Sequence, residues 1–302
     1  MESSYSIITQ NFHTILDFIR FAMSEAKAND AIFGHGADNA WDEMRSLICD
    51  SLNLPYDVDP QLFHGRLLDK EKELLCERLE QRIVNKIPSA YLINKAYFCG
   101  LPFYVDSRVL IPRSPIAELI QQQFSPWIDA DRVHRILDLC TGSACIAIAC
   151  CYSFPDAEVD AVELSDDALD VAAINREHYG LQDTLSLIKS DCFSEVPSVR
   201  YDIIVSNPPY VGRDEMESLP KEYQYEPKMA LEAEDNGLAI VEKILKNAKH
   251  YLNPHGVLVV EVGNSEEALA SAYPHVPFTW LDFEHGGQGV FLLTYDLLNE
   301  YF

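Results

Sequence analysis

Apolar residues recur at helical spacing along the first third of the chain. Three segments carry such a stripe, at residues 12–23, 38–52 and 70–84. Residues three and four positions apart share one face of a helix, so each stripe predicts an amphipathic helix with one buried side. Pro55 and Pro88 follow the second and third segments and favour helix ends there. The pattern therefore predicts a small helical domain over residues 1–95.

Two short apolar runs, at residues 96–99 and 102–105, follow the helical segments. Gly100 and Leu101 separate them, and this arrangement predicts a short hairpin. We expect the hairpin to belong to a linker, residues 96–113, between the helical domain and a second domain at residues 114–302.

The second domain alternates helical segments with apolar runs of strand length. Five such runs lie at residues 135–140, 158–164, 185–190, 201–206 and 256–262. This alternation is typical of a parallel sheet covered by helices, and so of an α/β fold. Two further runs, at 278–284 and 289–295, have no helical segment between them. They predict an antiparallel hairpin that ends an otherwise parallel, seven-stranded sheet.

Polar residues follow the first three strands, where a parallel sheet presents its ligands. A turn of small residues at 140–144 leads from the first strand into a helix, but Gly142 is its one glycine, so a dinucleotide pyrophosphate site has little support. Glu163 ends the second strand and could accept hydrogen bonds from a ribose diol. Asp191 follows the third and could accept from an adenine amine. Each acid alone could instead cap a helix, but together they predict a nucleoside site.

The segment Asn207-Pro208-Pro209-Tyr210 follows the fourth strand. Two prolines cannot continue a central strand, so the chain must turn at the sheet edge. The side-chain amide of Asn207 and the carbonyl of Pro208 can together accept both hydrogens of a planar –NH2 group. Tyr210 adds an aromatic wall. The segment is typical of an enzyme that methylates an amide or a base amine.

Composition narrows the possible partners. The 302 residues are 48% hydrophobic, with no stretch of membrane-spanning length and no basic, apolar leader at the start, so we expect a cytoplasmic protein. Its 48 acids and 23 bases give a net charge of −25, which disfavours nucleic-acid binding and favours a basic partner. The eight cysteines contain no Cys-x-x-Cys pair, and we expect neither disulfides nor a metal site.

These motifs in this order resemble the class I methyltransferases that use S-adenosylmethionine. Other segments are similar to the protein glutamine methyltransferases, among them Val109-Leu110-Ile111-Pro112-Arg113, Glu226-Pro227 and Asn236-Gly237-Leu238. Ser114-Pro115-Ile116 after Arg113, and residues 33–43, resemble the family that acts on the third large-subunit ribosomal protein rather than on release factors. The resemblance runs from about residue 30 to the end of the chain.

The resemblance implies a fold, a reaction and a set of site residues. It implies a Rossmann-like sheet with an antiparallel last strand, and a helical N-terminal domain that binds a basic ribosomal protein. It implies methyl transfer from S-adenosylmethionine to a glutamine amide, with S-adenosylhomocysteine as product and no metal. Chemistry is assigned to Asn207, Pro208 and Tyr210, and substrate binding to these residues, Pro209 and Arg113. Cofactor binding is assigned to Asp138, Cys140, Thr141, Gly142, Ser143, Ala144, Glu163, Leu164, Asp191, Cys192 and Asn207.

One position departs from the family pattern. The turn usually reads Cys-Thr-Gly-Ser-Gly-Cys, and Ala144 stands here in place of the second glycine. The methyl group costs little if the backbone angle φ is negative, whereas a positive φ would be strained. Three alternatives stay open from the sequence: a release-factor glutamine methyltransferase, an adenine methyltransferase acting on a flipped base, and a non-catalytic ribosome-assembly factor.

Overall fold

The computed structural model describes residues 11–34, 36–37, 39–55 and 57–302. The chain divides into two compact units. The first comprises the described residues up to Ala96 together with Pro220–Tyr225, and the second comprises Tyr97–Leu219 and Glu226–Phe302. This division differs from the expected domain boundaries because it assigns residues 97–113 to the second unit and 220–225 to the first.

The first unit is helical. Its α-helices are α1 (Ile15–Ala28), α2 (Ala40–Ser51), α3 (Asp69–Ile83) and α4 (Ser89–Ile93). Thr14 begins α1 with a reciprocal capping pair, in which its hydroxyl accepts from the Asp17 N–H and the Asp17 carboxylate accepts from the Thr14 N–H. The apolar stripes predicted from the sequence meet in one buried cluster. Residues 1–10, 35, 38 and 56, which the predictions also covered, lie outside the described residues.

A buried arginine joins the separate segments of the first unit. Arg82 is 1% exposed, and its guanidinium pairs with the carboxylates of Glu43 and Glu222. It also donates to the main-chain carbonyl of Ile32 at 2.7 Å. Glu222 belongs to the short segment 220–225, so this ion pair explains why that segment groups with residues far from it in sequence.

The second unit is built on a seven-stranded sheet. Its strands are β3 (Arg135–Leu139), β4 (Glu158–Glu163), β5 (Leu185–Lys189), β6 (Tyr201–Ser206), β7 (Leu252–Glu261), β8 (Thr279–Trp280) and β9 (Val290–Thr294). They lie in the spatial order β5-β4-β3-β6-β7-β9-β8. Strands β3 to β7 pair in parallel, and β9 is antiparallel to both β7 and β8. The predicted sheet with an antiparallel last strand is confirmed.

Helices cover both faces of this sheet. The helices of the second unit are α5 (Ile116–Gln121), α6 (Cys145–Ser153), α7 (Asp166–His178), α8 (Arg213–Met216), α9 (Lys228–Leu231), α10 (Ala239–Tyr251), α11 (Glu266–Ala272) and α12 (Tyr295–Tyr301). Every residue of β6 is buried, as expected of a central strand in a sheet covered on both faces. The predicted hairpin at 96–105 is also confirmed, with β1 (Ala96–Phe98) and β2 (Leu101–Phe103) forming a two-stranded sheet. In the described part of the chain, no helix is both long and apolar enough to cross a membrane.

Two strand predictions differ in extent from the structure. Strand β7 begins at Leu252, four residues before the predicted start, and so contains Pro254. Strand β8 is only two residues long, against a predicted run of seven. Neither difference moves the carboxyl ends of β3, β4, β5 and β6, which therefore lie together at one edge of the sheet.

Candidate active site

A cavity of about 350 Å³ opens at the carboxyl ends of the parallel strands. This volume lies in the range of small-molecule sites. Most residues that the sequence assigned to a site line it, namely Arg113, Cys140, Thr141, Gly142, Ser143, Glu163, Leu164, Asp191, Cys192, Asn207 and Pro209. Four others do not: Asp138, Ala144, Pro208 and Tyr210. The structure therefore brings most of the predicted site residues together at one cavity and places the other four away from its wall.

The turn after β3 is held in an unusual backbone conformation. Cys140, Gly142 and Ala144 have φ values of 59°, 55° and 64°. Only glycine adopts such angles without cost, because a Cβ atom crowds the neighbouring carbonyl. Ala144 is fully buried and directly precedes α6. Because its φ is positive, the backbone is strained at this position.

Glu163 ties the end of β4 to this turn. Its Oε2 accepts a 2.9 Å hydrogen bond from the main-chain N–H of Gly142, and its Oε1 accepts from the N–H groups of Leu164 and Ser165 at 2.8 and 3.0 Å. An ionised carboxylate has about four acceptor sites. One site on Oε2 is thus left for a ligand hydroxyl at the cavity wall, rather than the two that a bidentate ribose contact uses.

Asp138 lies beneath the turn and not at the cavity wall. Its Oδ2 accepts from the Thr141 hydroxyl at 2.5 Å and from the N–H of Ala147 at 3.2 Å. Its Oδ1 is buried without a hydrogen-bond partner among the described residues. Burial raises the pKa of Asp138 to about 7, against the two hydrogen bonds that lower it. The carboxyl group therefore shapes the turn.

The third strand end contributes an acid and a thiol. The Asp191 carboxylate is half exposed and pairs with Lys243 on α10. Cys192 and Cys140 both line the cavity, and the interaction of their thiols lowers the pKa of Cys192 and raises that of Cys140. The Lys243 charge also lowers the pKa of Cys192. An adenine amine bound here would share the Asp191 carboxylate with Lys243.

The segment after β6 presents two acceptors side by side. In the part of the chain that the structure describes, neither the side chain of Asn207 nor the carbonyl of Pro208 has a hydrogen-bond partner. Asn207 and Pro209 line the cavity, and Pro208 is buried between them. The Tyr210 hydroxyl turns from the cavity and donates to Glu261 at 2.9 Å. The Asn207 side chain is thus available at the cavity, and the next residue, Pro208, has an unpaired carbonyl.

Arg113 lines the cavity, but its charge is already paired. It donates two parallel hydrogen bonds, at 2.5 and 2.7 Å, to the carboxylate of Glu226, whose side chain is fully buried. Such bidentate pairs fix geometry as well as charge. Arg113 therefore anchors the segment that leads to α9.

Several site residues were missed from the sequence. Lys243 and Glu261, which do not line the cavity but pair with Asp191 and Tyr210, received no role. The apolar wall formed by Leu110, Met229 and Ile240 was not predicted either. Glu261 could have been found, since it is an acid at the end of a parallel strand, as Glu163 is. Lys243 could not have been found in this way, because the sequence pattern predicts only an exposed position on an amphipathic helix there.

Comparison with known proteins adds independent findings. Residues 121–222 match the model of the methyltransferase small domain family. The ribosomal protein uL3 glutamine methyltransferase of Francisella tularensis subsp. tularensis is 49% identical, over 97% of this chain and 94% of that protein. The enzyme of the same name from Neisseria meningitidis serogroup B is 48% identical, over 96% of this chain and 95% of that protein.

A solved structure supports the fold. The catalytic domain of hMettl16, solved in complex with a 3′UTR hairpin, aligns with a TM-score of 0.52 and 17% identity. The alignment covers 79% of this chain and 87% of that one. At this identity the likeness extends to the fold alone, which is that of a class I methyltransferase.

Proposed function

Because the chain belongs to the family of ribosomal protein uL3 glutamine methyltransferases, we propose that it methylates the side-chain amide nitrogen of a glutamine in uL3. The observation that carries this reaction is the pair of unused acceptors at Asn207, which lines a cavity large enough for a small-molecule cofactor, and at Pro208, the next residue in the chain. The methyl donor we propose is S-adenosylmethionine, and the product is S-adenosylhomocysteine.

The donor set of the cavity fits this cofactor. Glu163 would accept a hydrogen bond from a ribose hydroxyl with its remaining Oε2 site, and Asp191 would accept from the adenine amine. Leu110, Ile146 and Ile240 supply apolar surface for the base. Bound there, the cofactor supplies a methyl group activated by a positively charged sulfur. Residues 140–143 of the turn line the cavity after β3.

Asn207 and Pro208 would hold the glutamine amide for attack. An amide nitrogen is a weak nucleophile, because its lone pair is delocalised into the carbonyl. Two acceptors that bind both N–H groups orient the nitrogen, and they also stabilise the positive charge that grows on it in the transition state. The amide nitrogen would gain a bond to the methyl carbon in place of that carbon's bond to sulfur, and it would release one proton to solvent. The mechanism needs no nucleophilic side chain and no metal.

The protein substrate would be bound by the helical N-terminal domain predicted at residues 1–95, in the cytoplasm. The net charge of −25 supports a basic protein as partner, because opposite charges speed encounter and favour the correct orientation. The same charge opposes stable binding to nucleic acid. Residues 114–302 would provide the methyltransferase domain, with the hairpin region between the two.

A label-transfer experiment tests the proposal. The purified chain is incubated with methyl-labelled S-adenosylmethionine and, separately, with uL3, a release factor or DNA. We expect label in uL3 alone, located at one glutamine by mass spectrometry. Label in the release factor or in DNA would replace the proposal with one of those activities. Tight binding of uL3 without any transfer would identify an assembly factor instead.

A further inference from the structure

Glu261 is a buried carboxylate to which the proposed reaction assigns no part. It ends β7 and is 5% exposed. Both of its oxygens are used: Oε1 accepts the Tyr210 hydroxyl at 2.9 Å and Oε2 accepts the Ser114 hydroxyl at 2.5 Å. Burying a charge costs free energy unless the charge is well paired. A buried carboxylate at this position therefore indicates a specific role.

Tyr210 is fixed on three sides. Its hydroxyl is held by Glu261, and its main-chain carbonyl accepts from the Ser265 hydroxyl at 2.8 Å. Its ring lies directly on Gly263, where an added Cβ would come within 2.5 Å of the ring carbon Cε2. Gly263 also has a φ of 46°, which glycine adopts freely. These contacts hold the Tyr210 ring in one position, with its hydroxyl at the Glu261 carboxylate.

The other end of the loop is fixed as well. The Ser206 hydroxyl donates to the carbonyl of Leu139 at 2.8 Å, on the neighbouring strand. Pro208 and Pro209 lie between the two anchors, and their rings restrict the φ angle of each. A shift of Tyr210 is therefore passed along the chain to the Pro208 carbonyl and the Asn207 amide instead of being absorbed by backbone rotation.

We infer that Glu261 is a positioning residue for methyl transfer, which holds the Tyr210 hydroxyl so that Asn207 and Pro208 face the substrate amide. The inference rests on the proposed function, because it concerns the same two acceptors. Ser114 completes the arrangement. Its hydroxyl donates to Glu261 and accepts the N–H of Ile116 at 3.2 Å, which connects the start of α5 to the same carboxylate.

The role requires an ionised carboxylate, since both partners donate a hydroxyl hydrogen to it. Burial raises the pKa of Glu261 above its usual range, and the hydrogen bonds from Ser114 and Tyr210 and the charge of Arg113 oppose the rise. Protonation would turn one acceptor oxygen into a donor and release one of the two hydroxyls. Turnover should therefore fall on the acidic side, as Glu261 takes up a proton.

The test combines two substitutions in a double-mutant cycle. Glu261→Gln keeps the size of the side chain but leaves one acceptor oxygen, and Tyr210→Phe removes only the hydroxyl. Each should lower kcat for uL3 by roughly ten-fold or more, the effect of losing a charge-assisted hydrogen bond. The KM values should change little. Because both act through one contact, the double variant should be no slower than the slower single variant. Glu300→Gln, at an exposed position of α12, is the matched control.

The outcomes separate this inference from the proposed function. If the wild-type chain does not methylate uL3, the proposed function fails. If it does, and the two substitutions lower kcat additively, Glu261 and Tyr210 do not act through their contact and the inference is overturned. The pH profile gives a second readout: the acidic fall in kcat should be present in the wild type and absent in Glu261→Gln. The same acidic fall in kcat in the wild type and in Glu261→Gln would also overturn the inference, whatever the thermal stability of the variants.

Discussion

The main-chain N–H of Gly142 donates a 2.9 Å hydrogen bond to Oε2 of Glu163. This contact joins the turn after β3 to the end of β4, so the same carboxylate shapes the cavity and offers a site to its ligand. The Leu164 and Ser165 N–H groups hold the other oxygen. Glu163 therefore has two separable roles. It holds the main chain around the cavity in place, and it offers an acceptor to the ligand.

Replacement of Glu163 should weaken binding of S-adenosylmethionine. Glu163→Ala removes a charge-assisted hydrogen bond to the ribose and the acceptor for three N–H groups, so we expect affinity to fall by roughly ten-fold or more. Calorimetry measures the affinity, and Glu177→Ala, at an exposed position of α7, is the control. Equal affinity in the two variants would remove Glu163 from the cofactor site.

Ala144→Gly should relieve backbone strain. A residue other than glycine at a φ of 64° costs about 1–2 kcal/mol, whereas the glycine gives up about 0.5–1 kcal/mol of chain entropy. The net expectation is a small gain in the free energy of unfolding, of up to about 1 kcal/mol. Cofactor affinity should rise or stay equal.

The control for this substitution lies in the following helix. Ala149→Gly, buried within α6, removes the same methyl group without any strain to relieve, and should lower stability by about 1 kcal/mol. Urea unfolding compares the two. Equal losses at both positions would show that the strain at Ala144 is negligible.

Asp138 should make stability depend on pH. Burial raises its pKa in the folded protein to about 7 from an ordinary value of 3.8. Between these values the folded chain holds a proton that the unfolded chain releases, so the free energy of unfolding falls as pH rises across this window. Asp138→Asn abolishes this dependence, and its stability relative to wild type should increase from pH 4 to pH 7 by on the order of 1–4 kcal/mol.

Urea unfolding at several pH values measures this difference, because all other titrating groups are common to the two proteins. Asp131→Asn, at an exposed position, serves as the control. A difference between wild type and Asp138→Asn that stays constant with pH would mean that Asp138 is ionised throughout.

The fold was largely predictable, because its signals are local. Buried parallel strands appear as apolar runs, and β3 to β6 lie within the predicted runs. The start of β7 was missed because Pro254 reads as a strand breaker, although it lies at the beginning of the strand where a missing N–H matters less. The segment 220–225 could not be assigned, since its place depends on an ion pair with Arg82, 140 residues away.

Most of the site residues predicted from the sequence line the cavity, but their contacts were not predictable. An acid at a strand end, as at Glu163 and Asp191, can be found from the pattern alone. Whether Arg113 is free or paired depends on Glu226, which lies 113 residues further along the chain. The role of Asp138 depends on burial that only the packed turn creates. Distant partners therefore decide which of the predicted residues remain available to a ligand.

Arg82→Met should destabilise the first unit strongly. The substitution leaves Glu43 and Glu222 buried without their cation, and breaking a buried ion pair in this way costs about 3–5 kcal/mol. Arg78→Met removes a half-buried arginine of the same helix that donates to Ser51, and should cost far less. Hydrogen exchange in α2 and α3, followed by mass spectrometry, measures both. Similar protection in the two variants would show that the Arg82 pairs contribute little.

Asn207→Ala should reduce the chemical step while leaving cofactor binding in place. The substitution removes one of the two acceptors proposed for the glutamine amide, and loss of one such preorganised group lowers turnover by roughly a hundred-fold or more. Asn299→Ala, at an exposed position of α12, is the matched control and should behave as the wild type. Calorimetry should give nearly equal affinities for S-adenosylmethionine in both variants.

Single-turnover methyl transfer to uL3, with each enzyme saturated by cofactor and substrate, tests the central claim most directly. The account predicts a rate in Asn207→Ala that is lower than in Asn299→Ala by roughly a hundred-fold or more, with label at a glutamine of uL3 in the active enzymes. Equal rates in the two variants would contradict the proposal that Asn207 binds the amide being methylated.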